Sequence, residues 1–149
     1  MAQKQIDHYQ TKYFDIVIFS KDYYAVDNLD PDLKIRFTPT RSQVDSCENA
    51  LLNDSIRGNI GQDSMGKMRV YYSTFKKNTL AMYKRQYFGF IDSNGNKIII
   101  INAISCREEE EILRKWVEAQ ISLEDGDTWV VKYNLSTKKL YDFISGVTL

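Results

Sequence analysis

The stretch from Tyr83 to Ile104, YKRQYFGFIDSNGNKIIIINAI, decides the fold class. Asn94-Gly95 at its centre is the strongest short hairpin signal, because a tight two-stranded turn needs backbone at positive φ, which Asn and Gly tolerate. Tyr83 to Asp92 reads as one strand, Ser93 to Asn96 as the turn, and Lys97 to Ile104 as the returning strand. Ile98 to Ile101 is apolar at four successive positions. A strand of that kind is buried on both faces and belongs in the middle of a sheet.

Working outward toward the C-terminus, Ser105 with Glu108 matches a capping box. Glu108 to Glu111 then fill a first helical turn, where the helix dipole favours negative charge. The helix they predict is short. From Trp116 the period changes to two, with Val117, Ala119, Ile121 and Leu123 alternating against Glu118, Gln120 and Ser122, which predicts a strand. Glu124 to Asp127 reads as a turn. Trp129, Val131, Tyr133 and Leu135 alternate again, Ser136 to Lys139 turns, and Leu140 to Ile144 finishes the sheet.

Toward the N-terminus, Leu33 to Thr38 alternates apolar and polar residues and Pro39 stops it. Phe14 to Phe19, FDIVIF, is a second short apolar strand, separated from the first by an Asp- and Asn-rich loop over Ser20 to Pro31. Thr40 and Gln43 form a capping box ahead of Val44, Cys47, Leu51 and Leu52, which fall on one helical stripe, so a helix is expected from about Arg41 to Ser55. Arg57 to Gly66 holds three glycines without periodicity and reads as a mobile loop. Met68, Tyr71, Tyr72, Phe75 and Thr79 recur at three and four residues and predict a second helix, although the β-rich Val70 to Thr74 also suits a strand. The expected fold is α+β, with N-terminal helices packed on one face of an antiparallel β-meander. Residues 1–12 are read as a flexible, polar N-terminal segment and 13–149 as a single α+β domain.

The 149 residues are 43% hydrophobic and 27% charged, and 20 Lys plus Arg balance 20 Asp plus Glu. This balance excludes a disordered tail, a collagen-like fibre and a strongly charged nucleic-acid coat. No apolar run approaches the roughly 18 residues of a membrane-spanning helix, so no membrane insertion is expected. The P-loop, dinucleotide, nucleophile-elbow and HExxH motifs are all absent from the sequence. The one histidine, His8, falls in the N-terminal segment and reads as an exposed tail residue. Asp45, Glu108 to Glu111, Glu124, Asp125 and Asp127 occupy caps and turns, which already explains them. Asp92, Asn94 and Asn96 begin like a calcium loop, but Gly95 and Ala103 stand at the wrong positions for one. Cys47 and Cys106 form no CxxC, so no zinc site or other cofactor is expected. They read as two buried thiols, or as one long-loop disulfide in an exported protein. Tyr83 to Ile91 interleaves aromatics with Lys84 and Arg85 like an RNA-binding strand, but Gln86 stands where a glycine is wanted, and a neutral chain has little phosphate affinity.

Two stretches carry a resemblance. Tyr83, Arg85, Gln86, Tyr87, Gly89 and Phe90 are followed by Gly95, Lys97, Ile98 and Asn102. Further on come Trp116, Asp125, Gly126, Trp129, Val131, Tyr133, Asn134, Leu135, Tyr141 and Gly146. Over about residues 83–146 this resembles the C-terminal half of small, uncharacterised bacterial proteins that are often exported. The resemblance implies a secreted or periplasmic location if a signal has been removed, and otherwise a cytoplasmic one. It implies no activity. The order of elements is also similar to cystatin-like and NTF2-like rolls, an analogy of fold alone.

These readings converge on a non-enzymatic binding module whose aromatic-rich sheet face meets a protein, a peptide or a glycan. Arg85, Tyr87, Trp129 and Tyr133 are the candidate binding residues, because aromatics and Arg dominate binding hot spots. Trp129 and Tyr133 share one strand face, and for these two the core is the stronger reading. The alternatives are a small-molecule pocket or enzyme of the cone-shaped α+β type, and an inhibitor or immunity protein for a single protein partner.

Overall fold

The computed structural model describes residues 6–11, 14–23, 35–54, 56–62, 68–73, 75–121 and 128–145. Along the chain run β1 (Ile6–Gln10), β2 (Asp15–Phe19), β3 (Ile35–Phe37), α1 (Arg41–Asn53), β4 (Ile56–Gln62), β5 (Met68–Ser73), α2 (Lys77–Leu80), β6 (Tyr83–Ile91), β7 (Lys97–Ser105), α3 (Glu110–Lys115), β8 (Thr128–Asn134) and β9 (Lys139–Ser145). The class is α+β. Strands β6 to β9 form the expected antiparallel meander, and β7 lies between β6 and β8. The turn from β6 to β7 is closed by Asp92, whose carboxylate accepts from the backbone N–H groups of Asn94 and Asn96, and Gly95 supplies φ +80°.

The sheet is mixed rather than wholly antiparallel. β2 lies parallel to β6, from Asp15 opposite Lys84 to Ile18 opposite Tyr87. The long excursion through α1 between these strands permits this, since a parallel pair needs a crossover connection. β3 pairs antiparallel with the same edge of β6 farther along, Phe37 standing opposite Gly89. β1 pairs with β2 and ends the strand order. β4 and β5 pair with each other and reach the seven-stranded sheet through one parallel bridge, Gly58 opposite Phe143 on β9.

Successive isoleucines of β7 point to opposite sides and are 0–1% exposed. Ile99 and Ile101 join a cluster with Val44, Cys47, Ala50 and Leu51 of α1. Ile98, Ile100 and Ile104 join another with Phe19, Phe88 and Trp116, flanked by Ile112 and Leu113 of α3. Helical cover therefore lies on both faces, where one was expected. A strand apolar on both sides demands it.

Other expectations are corrected by tertiary pairing. Ile6–Gln10, expected to fray, is a paired strand. Of Arg57 to Gly66, read as a loop, the part up to Gln62 belongs to the strand Ile56–Gln62 despite its glycines, because the backbone pairing of a ladder needs no side-chain pattern, and the rest lies outside the described residues. The stretch from Met68 to Thr79, read as a helix with a strand as the alternative over Val70 to Thr74, is strand at Met68–Ser73, as its aromatic content favours, and helix only at Lys77–Leu80. Val117 to Gln120, read as strand, is a turn after α3. The N-cap of α1 is as expected: Thr40 Oγ1 accepts from the Gln43 N–H, and Gln43 Oε1 from the Thr40 N–H. The box at Ser105 fails, for α3 starts at Glu110 after Glu109, and Ser105 Oγ accepts instead from the Arg107 N–H. The turn expected at Glu124 to Asp127 lies outside the described residues.

Gly89 has a packing reason. A Cβ there would stand 2.5 Å from the Phe37 carbonyl oxygen and 3.0 Å from its ring. Gly89→Ala is expected to destabilise the fold by about 1–3 kcal/mol through overpacking. In urea titration the midpoint should fall while the slope is unchanged.

Candidate functional site

Arg85 and Tyr87 are two residues apart on β6 and so share the face that meets α1. Both are fully buried. Arg85 Nε donates to Glu48 Oε1 at 2.8 Å, and its Nη1 donates to the Leu80 and Tyr83 carbonyls at 2.7 and 3.1 Å. The guanidinium also stacks over Phe14, 4.7 Å from the ring centre. Burial pushes the Glu48 carboxyl above its ordinary range, with Arg85 opposing. Burial also disfavours the Arg85 charge, but Glu48 more than offsets this, and the guanidinium holds its proton more tightly than in water. Burial, then Glu48, pushes the Tyr87 hydroxyl well up. Glu48 was missed in the sequence. Its signal was there, since it stands four residues after Val44 on the buried stripe of α1.

Trp129 and Tyr133 lie on the same sheet face and are 3% and 4% exposed. Phe75 stacks on Trp129 at 4.8 Å, and Tyr83 and Phe143 complete an aromatic cluster around it. The four candidate residues thus share one sheet face, as interior groups beneath α1 and its neighbours. Their burial makes these four interior groups rather than an exposed contact surface.

A second constellation sits where β1 and β2 meet β6. His8 Nε2 lies 2.7 Å from Asp15 Oδ1, while Gln10 Nε2 and Lys84 Nζ donate to Asp15 Oδ2 at 3.0 and 2.9 Å. Trp116 floors the group, 5.2 Å from the His8 ring and 4.8 Å from Lys84 Nζ. Burial alone would raise the Asp15 carboxyl, but the hydrogen bonds from Lys84, His8 and Gln10 outweigh it and hold it below its ordinary value of 3.8. His8 is therefore no tail residue. It is aligned by a register that no local pattern announces, His8 opposite Val17. On the other side of β1, Arg41 grips Asp7 with two bonds of 2.7 Å and covers Tyr9.

Between these groups, Gln86 and Asn102 stand opposite each other and form a buried amide pair. Gln86 donates to the carbonyls of Trp116 and Ala119, Asn102 donates to those of Gln86 and Ile121, and Gln86 Oε1 also accepts from the Ile121 N–H. The segment after α3 has its backbone groups satisfied by side chains rather than by a neighbouring strand. This explains why a strand-like pattern makes no strand there.

Among the described residues no group of three or more His, Cys, Asp or Glu could hold a metal ion. Cys47 and Cys106 are both free. Cys47 is buried, which pushes its thiol up, and Cys106 is exposed, correcting the expectation of two buried thiols. No helix among the described residues is long and apolar enough to cross a membrane. No family model, no curated protein and no solved structure matches this chain.

Two outcomes follow from this charge arrangement. Removing one partner of a buried pair strands the other, so Glu48→Leu and Arg85→Met should each cost about 3–5 kcal/mol, while the double variant recovers most of the loss. Chemical denaturation of the four proteins measures this. For Asp15, a folded-state pKa below the unfolded one means that its contribution is in place above the ordinary carboxylate range and is lost as pH falls through the folded value. Wild type should therefore lose stability relative to Asp15→Asn below about pH 4 in paired acid titrations.

Proposed function

We propose that this chain is a non-enzymatic interaction module that takes an extended segment of a protein partner along β1. The observation that carries this reading is the outer edge of β1. It runs in unbroken register on β2, and no strand among the described residues pairs with its other side. A regular edge of this kind offers a row of backbone donors and acceptors for strand addition. Its side chains are held in place on both sides, Asp7 by Arg41 and His8 and Gln10 by Asp15, so little ordering entropy remains to oppose binding. Alternation along an added strand would set one row of partner residues against His8 and Trp116 and the other against Tyr9 and Arg41. That mixture of charge and aromatic surface suits a polar peptide with intermittent large side chains.

The roll of cystatin-like or NTF2-like type belongs to the same proposal, supported by the meander β6 to β9 with α1 across one face. Export is supported by the resemblance over residues 83–146. The pocket or enzyme and the single-partner inhibitor stand as the competing outcomes.

The test is native mass spectrometry of complexes captured from lysate and secreted fractions, followed by amide hydrogen exchange on the complex. The reading expects a protein partner whose binding protects Ile6–Gln10 and weakens at least tenfold in Arg41→Ala. A footprint away from β1, or a small-molecule adduct in place of a protein, overturns it.

A further inference from the structure

Asn94-Gly95 closes the β6–β7 hairpin, and it is the one Asn-Gly step in the chain. Both residues are exposed. Gly95 stands at φ +80° with open space where a Cβ would be. The Asn94 side-chain amide has no hydrogen-bond partner among the described residues. Asn53, Asn96, Asn102 and Asn134 differ in this, since each has its side-chain amide engaged. Asn94 thus presents a free carboxamide beside a backbone nitrogen that no neighbouring side chain hinders.

The rest of the turn restrains that nitrogen. The Gly95 N–H donates to the Asp92 carbonyl at 3.0 Å. Asp92 Oδ1 accepts from the N–H groups of Asn94 and Asn96 at 2.9 and 2.8 Å. An amide nitrogen must give up its proton before it attacks a carbonyl carbon, so each contact that keeps the turn closed opposes the attack. We propose that Asn94 is a site of spontaneous modification, deamidated through the Gly95 nitrogen, and that the Asp92 cap is its brake. The Gly95 nitrogen passes its proton to solvent and bonds to Asn94 Cγ. The Cγ–Nδ2 bond breaks, and ammonia leaves with a proton from water, which closes a five-membered succinimide. Water then opens the ring at one of its two carbonyls. Breaking the bond from the ring nitrogen to Cγ gives aspartate. Breaking the bond to the Asn94 backbone carbonyl carbon gives isoaspartate. The sum is amide plus water to carboxylate plus ammonium, with no oxidant or reductant. Either product sets a second carboxylate beside Asp92. Isoaspartate also adds a methylene to the backbone of the turn that fixes the β6–β7 register.

The test follows the full chain over weeks at body temperature, folded in neutral buffer and unfolded in guanidinium chloride at the same pH. Peptide mass spectrometry with electron-transfer fragmentation locates each conversion and separates aspartate from isoaspartate. Asn94 should convert ahead of every other asparagine. In the folded chain it should do so about tenfold more slowly than in the unfolded one, because the turn must first open locally. Asp92→Ala should bring the folded rate toward the unfolded rate and leave the unfolded rate unchanged. The wild-type comparison stands whether or not that variant folds. Asn94 persisting while another asparagine converts first overturns the site. Equal rates in the folded and unfolded wild-type chain, or a folded Asp92→Ala chain no faster than wild type, overturn the brake.

Discussion

Burial of β7 on both faces is the constraint that the rest of the molecule serves. Four isoleucines in succession leave no side of the strand that water can tolerate, and the observed exposure of each is at most 1%. Each face then needs its own cover. α1 supplies one through Val44, Cys47 and Leu51, and α3 with its following turn supplies the other through Ile112, Leu113 and Trp116. Strands β6 and β8 flank β7 and satisfy its backbone, so that both the apolar and the hydrogen-bonding demands of one strand organise its neighbours.

The two covered faces handle their polar groups differently. Beneath α1 the buried charges among the described residues are one ion pair, Arg85 with Glu48, beside the Tyr87 hydroxyl in an aromatic and aliphatic core. Such a pair is costly to desolvate and weak evidence for stability in itself, but strongly destabilising once halved. On the opposite face the polar content is neutral amide, Gln86 with Asn102, and it holds backbone rather than charge. That pair lets an irregular segment lie over a sheet without leaving its carbonyls unmet. Toward β1 the same face becomes charged and part-exposed, around Asp15. The gradient from buried amide to half-exposed ion cluster follows the distance from β7, and it leaves the one histidine of the chain at the rim.

The aromatic content also has a structural meaning. Trp129, Phe75, Tyr83 and Phe143 pack on one another under the sheet, and Phe19 stacks on Phe88 across the other face. Among the described residues these aromatics belong to the core that fills both layers of the sheet.

Local sequence determined the elements whose causes are local. The Asn94-Gly95 turn, the Thr40/Gln43 capping box, the isoleucine strand and the alternation of Trp129, Val131 and Tyr133 each carry their own physical reason within a few residues. The two-sided run Ile98 to Ile101 even contained the demand for cover on both faces, although the expected architecture placed helices on one. Tertiary structure alone decided what depends on partners distant in the chain. The β-branched and aromatic stretch Met68–Ser73 becomes strand because β4 is there to pair with it. The alternating residues after Trp116 stay irregular because Gln86 and Asn102 satisfy them first. Of the candidate binding residues, sequence identified the strands and favoured the core for Trp129 and Tyr133, but it offered Arg85 and Tyr87 as a surface, since alternation is the same for a core and a surface. Glu48 and His8 acquired their partners, Arg85 at 37 residues' separation and Asp15 at seven, through helix placement and strand register. Neither partner is set by any pattern that a single element can hold.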